Sequence, residues 1–277
     1  MQTSSMMKTI SHSFLKKQYW DFLFAMTEKE IKARYKFAIL GFLWVILNPL
    51  LQMLVIGFIF QFFVPVKVDN YFLFLFAGLL PWNFFSMTVQ KATPSIVFER
   101  GLIQKAKFPR EAIVLSIVLS NLFHFLIALS LLILALVIDK IVFDHYGISQ
   151  SISYIFRMLW LLPLLFSLTL LTSGFSLICS ALNVKYRDVN FITQAILPLW
   201  FYATPLVYTL TLLPERFRIF YLLNPMAGII ELFHLVLLNL PLTSVYLAVV
   251  SLAMSIVTFL IGWILFQKES KFFDDWI

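Results

Sequence analysis

Six stretches of this 277-residue chain carry no Asp, Glu, Lys or Arg, and each is long enough to cross a bilayer as a helix. They run for 30 residues between Lys36 and Lys67, 21 between Asp69 and Lys91, and 27 between Glu111 and Asp139. A further 27 lie between Arg157 and Lys185, 26 between Asp188 and Glu215, and 36 between Glu231 and Lys268. A helix needs about 20 residues to traverse a hydrocarbon core of roughly 30 Å, and a charge at its centre costs about 2.5 to 3.5 kcal/mol. With 61% hydrophobic and 13% charged residues and a mean hydropathy of +0.91, a water-soluble fold is excluded. We expect an all-α integral membrane protein with six transmembrane helices and one membrane domain over residues 1–277.

The last run is longer than one span, and Asn239 and Pro241 interrupt it. Asn224 and Pro225 read as an N-cap with proline at the first helical position, opening a helix that Pro241 stops. Its apolar part, Met226 to Leu240, is about 22 Å long, too short to cross. Residues 214–242 are therefore expected as one or two short re-entrant helices in the outer leaflet, with the sixth span at 243–267. Counting Lys and Arg in alternate loops puts fifteen on the side of the N-terminus and five on the other, namely Lys67, Lys140, Arg157, Arg216 and Arg218. That bias places both termini in the cytosol. The first twenty residues lack the apolar core and cleavage site of a signal peptide.

Residues 14–36 are apolar but studded with charge, as in a helix lying on anionic headgroups. Thr27 and Glu30 match a capping box that would break this interfacial helix and restart it. The helix is either an anchor for the first span or a gathering point for a lipid phosphate, with Arg34, Tyr35 and Lys36 at the substrate entrance. Between spans two and three, Pro94 and Pro109 isolate a short element at 95–109. Phe98, Leu102, Ile103 and Phe108 could enter a pocket on a partner, ringed by Glu99, Arg100, Lys105 and Lys107. An ordinary positive-inside loop explains the same residues.

Several chemistries are missing. None of the eight glycines precedes a lysine, so there is no Walker A phosphate loop. The four histidines are scattered and no HExxH occurs, so no metal site is expected. The single cysteine, Cys179, excludes an internal disulfide and lies among apolar neighbours as an inert thiol. No carboxylate sits in the middle of a span, which argues against a proton-coupled pump. His124 in span three is expected as a neutral imidazole bonded to a neighbouring helix. Glu231 and His234 share one face of the short outer helix, as an exit lining or a local pair. Two aromatic clusters, Phe37, Phe42 and Trp44, and Trp200, Phe201 and Tyr202, are candidates to line a conduit for sugars. Thr169, Ser173, Gly174, Ser176 and Ser180 form a small-residue stripe suited to close helix packing. The excess of basic residues belongs to membrane orientation, not to nucleic acid.

Arg34-Tyr35-Lys36, Leu40-Gly41-Phe42-Leu43-Trp44 and Leu47-Asn48-Pro49-Leu50 resemble the first-span signature of permease subunits of polysaccharide and teichoic-acid ABC exporters. Ala77 to Phe85, Lys107 to Glu111, Tyr186 to Val189, and Leu223 to Met226 resemble its later signatures in the same order. Phe37-Ala38 departs from the small residues often found there. The resemblance implies a homodimer with two copies of a cytosolic ABC ATPase that binds ATP and Mg, and no cofactor or catalytic residue in this chain. It also implies that 95–109 is a coupling helix and that the interfacial helix borders the substrate entrance. Residues 214–242, with Asn224, Pro225, Glu231 and His234, would form an outer gate. The cargo would be an undecaprenyl-diphosphate-linked glycan (O antigen, capsule or teichoic acid) crossing the bacterial inner membrane. Alternatives are a type-2 ABC permease for drugs or small lipids and a polyprenyl-lipid transferase.

Overall fold

The computed structural model describes residues 2–36, 41–63, 70–105, 108–142, 154, 156–212, 214 and 219–276. Phe37 and Lys107 lie outside the described residues, as do the side chains of Tyr35 and Phe42. The long helices are α1 (Gln2–Tyr35), α2 (Trp44–Phe63), α3 (Tyr71–Ala92), α6 (Glu111–Val142), α7 (Leu161–Lys185) and α10 (Val245–Glu269). Shorter ones are α4 (Ser95–Phe98), α5 (Arg100–Lys105), α8 (Asp188–Tyr202), α9 (Pro225–Leu238) and α11 (Phe273–Trp276). Five helices, α2, α3, α6, α7 and α10, are long and apolar enough to cross a membrane. Helix is the expected answer, because hydrocarbon offers the backbone no partner but itself.

The expected fifth span takes another form. Helix α8 has 15 residues, about 22 Å, and ends at Tyr202 just before Pro205, whose ring opposes helix in the preceding residue. Chain continues where helix stops. Asn190 donates its backbone N–H to Asn183 near the C-terminus of α7, while Val207 accepts from the Tyr71 hydroxyl at the start of α3. Residues 188–207 thus run from one end of the bundle to the other. The ends can be told apart by charge, since α1, the α3–α6 connection, the α7–α8 turn and the C-terminal residues all gather at the basic end.

Contacts at that end are specific. Arg110 donates to the Ser270 carbonyl and lies 5.9 Å over the Phe273 ring. Lys185 is placed 5.2 Å from the Trp276 ring and 5.3 Å from that of Tyr186. Met26, Ile96, Ile103, Ile113, Leu177, Phe266 and Phe273 form a small core joining α1, α4, α5, α6, α7, α10 and α11. Helix α1 is continuous through Thr27, whose hydroxyl bonds back to the Leu23 carbonyl at 2.8 Å instead of capping a new start. The expected single coupling helix is two short ones, broken at Glu99 (φ −88°, ψ 18°). Gly101 disfavours a continuous helix there, and the Glu99 side chain is drawn to Lys29.

At the far end, the Asn224 side chain accepts from Met226 N and Pro225 occupies the first helical position, as the sequence suggests. The helix ends at Leu238 because Asn239 turns left-handed (φ 60°), so Pro241 only follows a stop already made. The small-residue stripe on α7 does permit close packing, against α10. A Cβ on Gly174 would lie 2.6 Å from the Thr258 carbonyl, and one on Gly262 would strike the Gly174 backbone. Gly174→Val should therefore lower the thermal unfolding midpoint sharply, at the upper end of the roughly 1–3 kcal/mol typical of overpacking. Gly101→Ala, where an added methyl meets open space, should not lower it in the same detergent-solubilised unfolding assay.

Candidate functional site

Polar residues inside the charge-free spans converge on one cavity of about 540 Å³, walled by α2, α3 and α6 and reached by the last turn of α1. Arg34 extends from α1 into it. Its Nη2 donates to Asn121 Oδ1 at 2.5 Å, and its Nη1 donates to His124 Nδ1 at 3.0 Å. The expectation of a His124 imidazole bonded to a neighbouring helix holds, with a basic-end helix as the neighbour. Asn83 Nδ2 donates to Gln52 Oε1 at 2.8 Å, joining α3 to α2. Asn48 and Trp44 complete the α2 wall, one and two turns before Gln52. Lys36 is exposed. Asn83, Asn121 and Gln52 escaped sequence analysis, although uncharged polar groups in apolar spans are expected to find partners.

The α3–α6 connection is divided by orientation. Phe98 is 77% exposed, and Arg100 and Lys105 are exposed beside it. Ile103 is turned inward at 6%, and Phe108 packs on Phe22 of α1 with ring centroids 4.6 Å apart. Leu102 is half-buried against the same small core. Glu99 accepts an ion pair from Lys29 at 2.6 Å, and Lys91 reaches Glu30 at 2.5 Å. Exposure limits each such pair to less than about 1 kcal/mol. Together with Phe22 they nonetheless fix α1 at three points, one on the last turn of α3 and two on the connection. Nothing in linear spacing identifies these partners, which lie about 60 to 85 residues apart.

The two aromatic clusters part company. Trp44 lines the cavity, whereas Trp200 packs within 5.3 Å of both Phe85 and Phe175. Its indole N–H donates to Asn224 Oδ1 at 3.0 Å. Phe201 is 7% exposed and packs on Trp82, while Tyr202 points outward at 62%. Asn224 is the junction of the far end: it also donates to the Thr204 hydroxyl at 2.9 Å and the Ala203 carbonyl at 3.2 Å. Glu231 and His234 are not bonded to each other. His234 is stacked on Phe74 and shares a 3.0 Å hydrogen bond with the Phe74 carbonyl. Burial raises the Glu231 carboxyl above its usual range, opposed by hydrogen bonds from Thr243. Among the described residues no group of three His, Cys, Asp or Glu could hold a metal.

Residues 22–238 match the family model described as ABC-2 type transporter. The chain is 33% identical over 250 residues to the O-antigen export system permease protein RfbA of Klebsiella pneumoniae, covering 90% of this chain and 92% of that protein. It is 35% identical over 214 residues to RfbA of Myxococcus xanthus, covering 76% and 78%. The polysialic acid transport protein KpsM of Escherichia coli is more distant, at 22% over 211 residues, covering 75% and 78%.

Two measurements check the far end. Asn224→Ala orphans the Trp200 N–H and the Met226 N–H, so unfolding in detergent should lose about 2–4 kcal/mol, with Asn224→Asp retaining part of it. A raised carboxyl favours the fold below its unfolded value near pH 4.3 and loses that contribution as pH rises through its folded value. Glu231→Gln should therefore melt above the native protein at pH 8, and the gap should close toward pH 4.5.

Proposed function

Because the chain belongs to the ABC-2 type transporter family, we propose that it is the membrane-spanning subunit of an ATP-driven exporter of lipid-linked polysaccharide. The observation that carries this reading is the match to an O-antigen export permease over nine-tenths of both chains. ATP and Mg belong to a separate cytosolic ATPase, and this chain contributes the passage and its coupling. The substrate is an undecaprenyl-diphosphate-linked glycan, admitted at the basic end beside Arg34 and Lys36.

In this reading the chain makes six crossings, the fifth being α8 with the irregular residues after it. Helix α7 ends at the basic end and α10 begins at the far end, so the intervening chain must cross once more. Both termini then lie in the cytosol, and α9 is an outer gate whose mouth is tied by Asn224. Helix α2 keeps Leu51, Leu54, Val55, Phe58 and Ile59 exposed, and α8 keeps Phe191, Ile192, Ile196 and Leu199 exposed. These two faces form the homodimer and its conduit, with Trp44 and Tyr202 as the rings offered to sugar; Phe201 serves packing instead.

Coupling runs through Phe98, Arg100 and Lys105, which remain outside the permease core and enter the ATPase groove. Ile103 and Phe108 hold the connection to the permease. A push on Phe98 passes through Glu99–Lys29, Lys91–Glu30 and Phe108–Phe22 to α1, and from there to Arg34 at the cavity. One displacement would reach both the motor contact and the entrance.

Phe98→Asp should abolish copurification of the ATPase while the permease inserts and elutes normally, whereas Ile103→Asp should reduce the amount of folded permease itself. Retained ATPase with Phe98→Asp would refute the coupling assignment. For the six crossings, single cysteines at Leu223 and Tyr186 in a Cys179→Ala background should react with an impermeant maleimide from opposite sides of sealed cells. Labelling of both from one side would leave only five crossings.

A further inference from the structure

The cavity beside Arg34 holds more hydrogen-bonding capacity, of a more varied kind, than an anion can use. Among the described residues no carboxylate lines it. Arg carries five donors, and Asn121 and His124 engage two of them. Asn121 is 4% exposed; its Oδ1 is occupied by Arg34, yet its Nδ2 has no hydrogen-bond partner among the described residues. Asn121 therefore positions Arg34 through its Oδ1, and the remaining guanidinium donors are the ones open to an oxygen in the cavity.

Deeper in the cavity the chemistry changes. Helix α2 leaves the basic end at Trp44, and Gln52 lies eight residues, about 12 Å, further along it. Asn48, Gln52 and Asn83 are carboxamides, each able to donate and to accept. A phosphate, which only accepts, would meet their oxygens unfavourably. A sugar hydroxyl, which does both, suits them. Trp44, 39% exposed at the mouth, adds a flat apolar surface of the kind that C–H faces of a pyranose cover. The volume of about 540 Å³ falls within the roughly 300–1,000 Å³ of small-molecule sites.

We propose that this cavity, within a single protomer, is a glycosyl-phosphate site: Arg34, positioned by Asn121, holds a lipid-borne phosphate, and Asn48, Gln52 and Asn83 read the hydroxyls of the sugar attached to it. The assignment rests on the export reading and deepens it. Selection of cargo then begins at the sugar next to the lipid carrier, before any conduit between protomers is entered. A phospholipid headgroup offers the same phosphate with a smaller polyol, and the test separates the two.

A photoreactive p-benzoylphenylalanine in place of Met87, which lines the cavity, reports occupancy in the full chain embedded in nanodiscs. The probes are undecaprenyl diphosphate bearing one N-acetylhexosamine, sugar-free undecaprenyl diphosphate, and phosphatidylglycerol. The sugar-bearing lipid should half-saturate crosslinking at roughly tenfold lower concentration than the sugar-free one, the equivalent of one net hydrogen bond. The double variant Gln52→Leu/Asn83→Leu should erase that difference and leave sugar-free binding unchanged, which also shows that it is folded; Asn48→Ala should narrow it. Arg34→Gln should weaken both undecaprenyl lipids about tenfold. Equal half-saturation by the two undecaprenyl lipids, equal competition by phosphatidylglycerol, or parallel loss of both lipids in the double variant would overturn the proposal. Those results would leave export standing if the native chain and its ATPase still move glycan-lipid in proteoliposomes; failure of that transport would instead remove the reading beneath it.

Discussion

Irregular backbone cannot face hydrocarbon, and that constraint shapes the whole bundle. Helix α8 ends at Tyr202, and among the described residues the next capped helix opens at Pro225. Polar groups freed between these points are gathered by a few side chains. Asn224 serves Trp200, Ala203, Thr204 and Met226 at once, and Tyr71 takes the Val207 carbonyl. The rings of Trp82, Phe85, Phe175 and Trp200 pack together beside this junction, and Thr204, Leu206 and Val207 just after the break are buried.

Packing then follows residue size. Where backbones must touch, at Gly174 with Gly262 and at Gly228 with Leu247 and Ser251, glycine and serine stand at the contact. Such close approach gives α7, α10 and α9 a rigid frame, because association in lipid depends on dispersion and hydrogen bonds between helices. Helices α2 and α8 lie outside it with apolar faces uncovered. A stiff frame carrying two loosely seated helices suits a machine in which part must move and part must hold. Helix α1 is bound to the last turn of α3 and to the connection between α3 and α6 by paired charges and one ring contact, each weak alone and directional together.

Much of this was legible in one dimension. Charge-free runs located five long spans, and the Asn224-Pro225 pair located the start of the outer helix to the residue. Pro94 and Pro109 bounded the connection between α3 and α6. What escaped was partnership. The sequence offers Phe98, Leu102, Ile103 and Phe108 as equals, and only tertiary packing turns Ile103 inward and leaves Phe98 exposed. Trp200 and Phe201 have Trp82 and Phe85 as neighbours in space, over a hundred positions away, which no spacing in the sequence announces. The expected fifth span is a 26-residue charge-free run in the sequence, and its helix is cut short because Pro205 follows Thr204. The cavity itself was not legible: Arg34 and His124 stood out singly, but Gln52, Asn83 and Asn121 did not, and the polar side chains that meet there come from four helices.

The central claim is that this chain is a passage without a motor. It is tested most directly by reconstituting it in proteoliposomes, with and without its ATPase, and following a fluorescent undecaprenyl-diphosphate-linked oligosaccharide across the bilayer. The account requires movement that depends on the ATPase and on hydrolysable ATP, and none from the permease alone. Movement or chemical conversion of the lipid by the lone chain, without nucleotide, would contradict it.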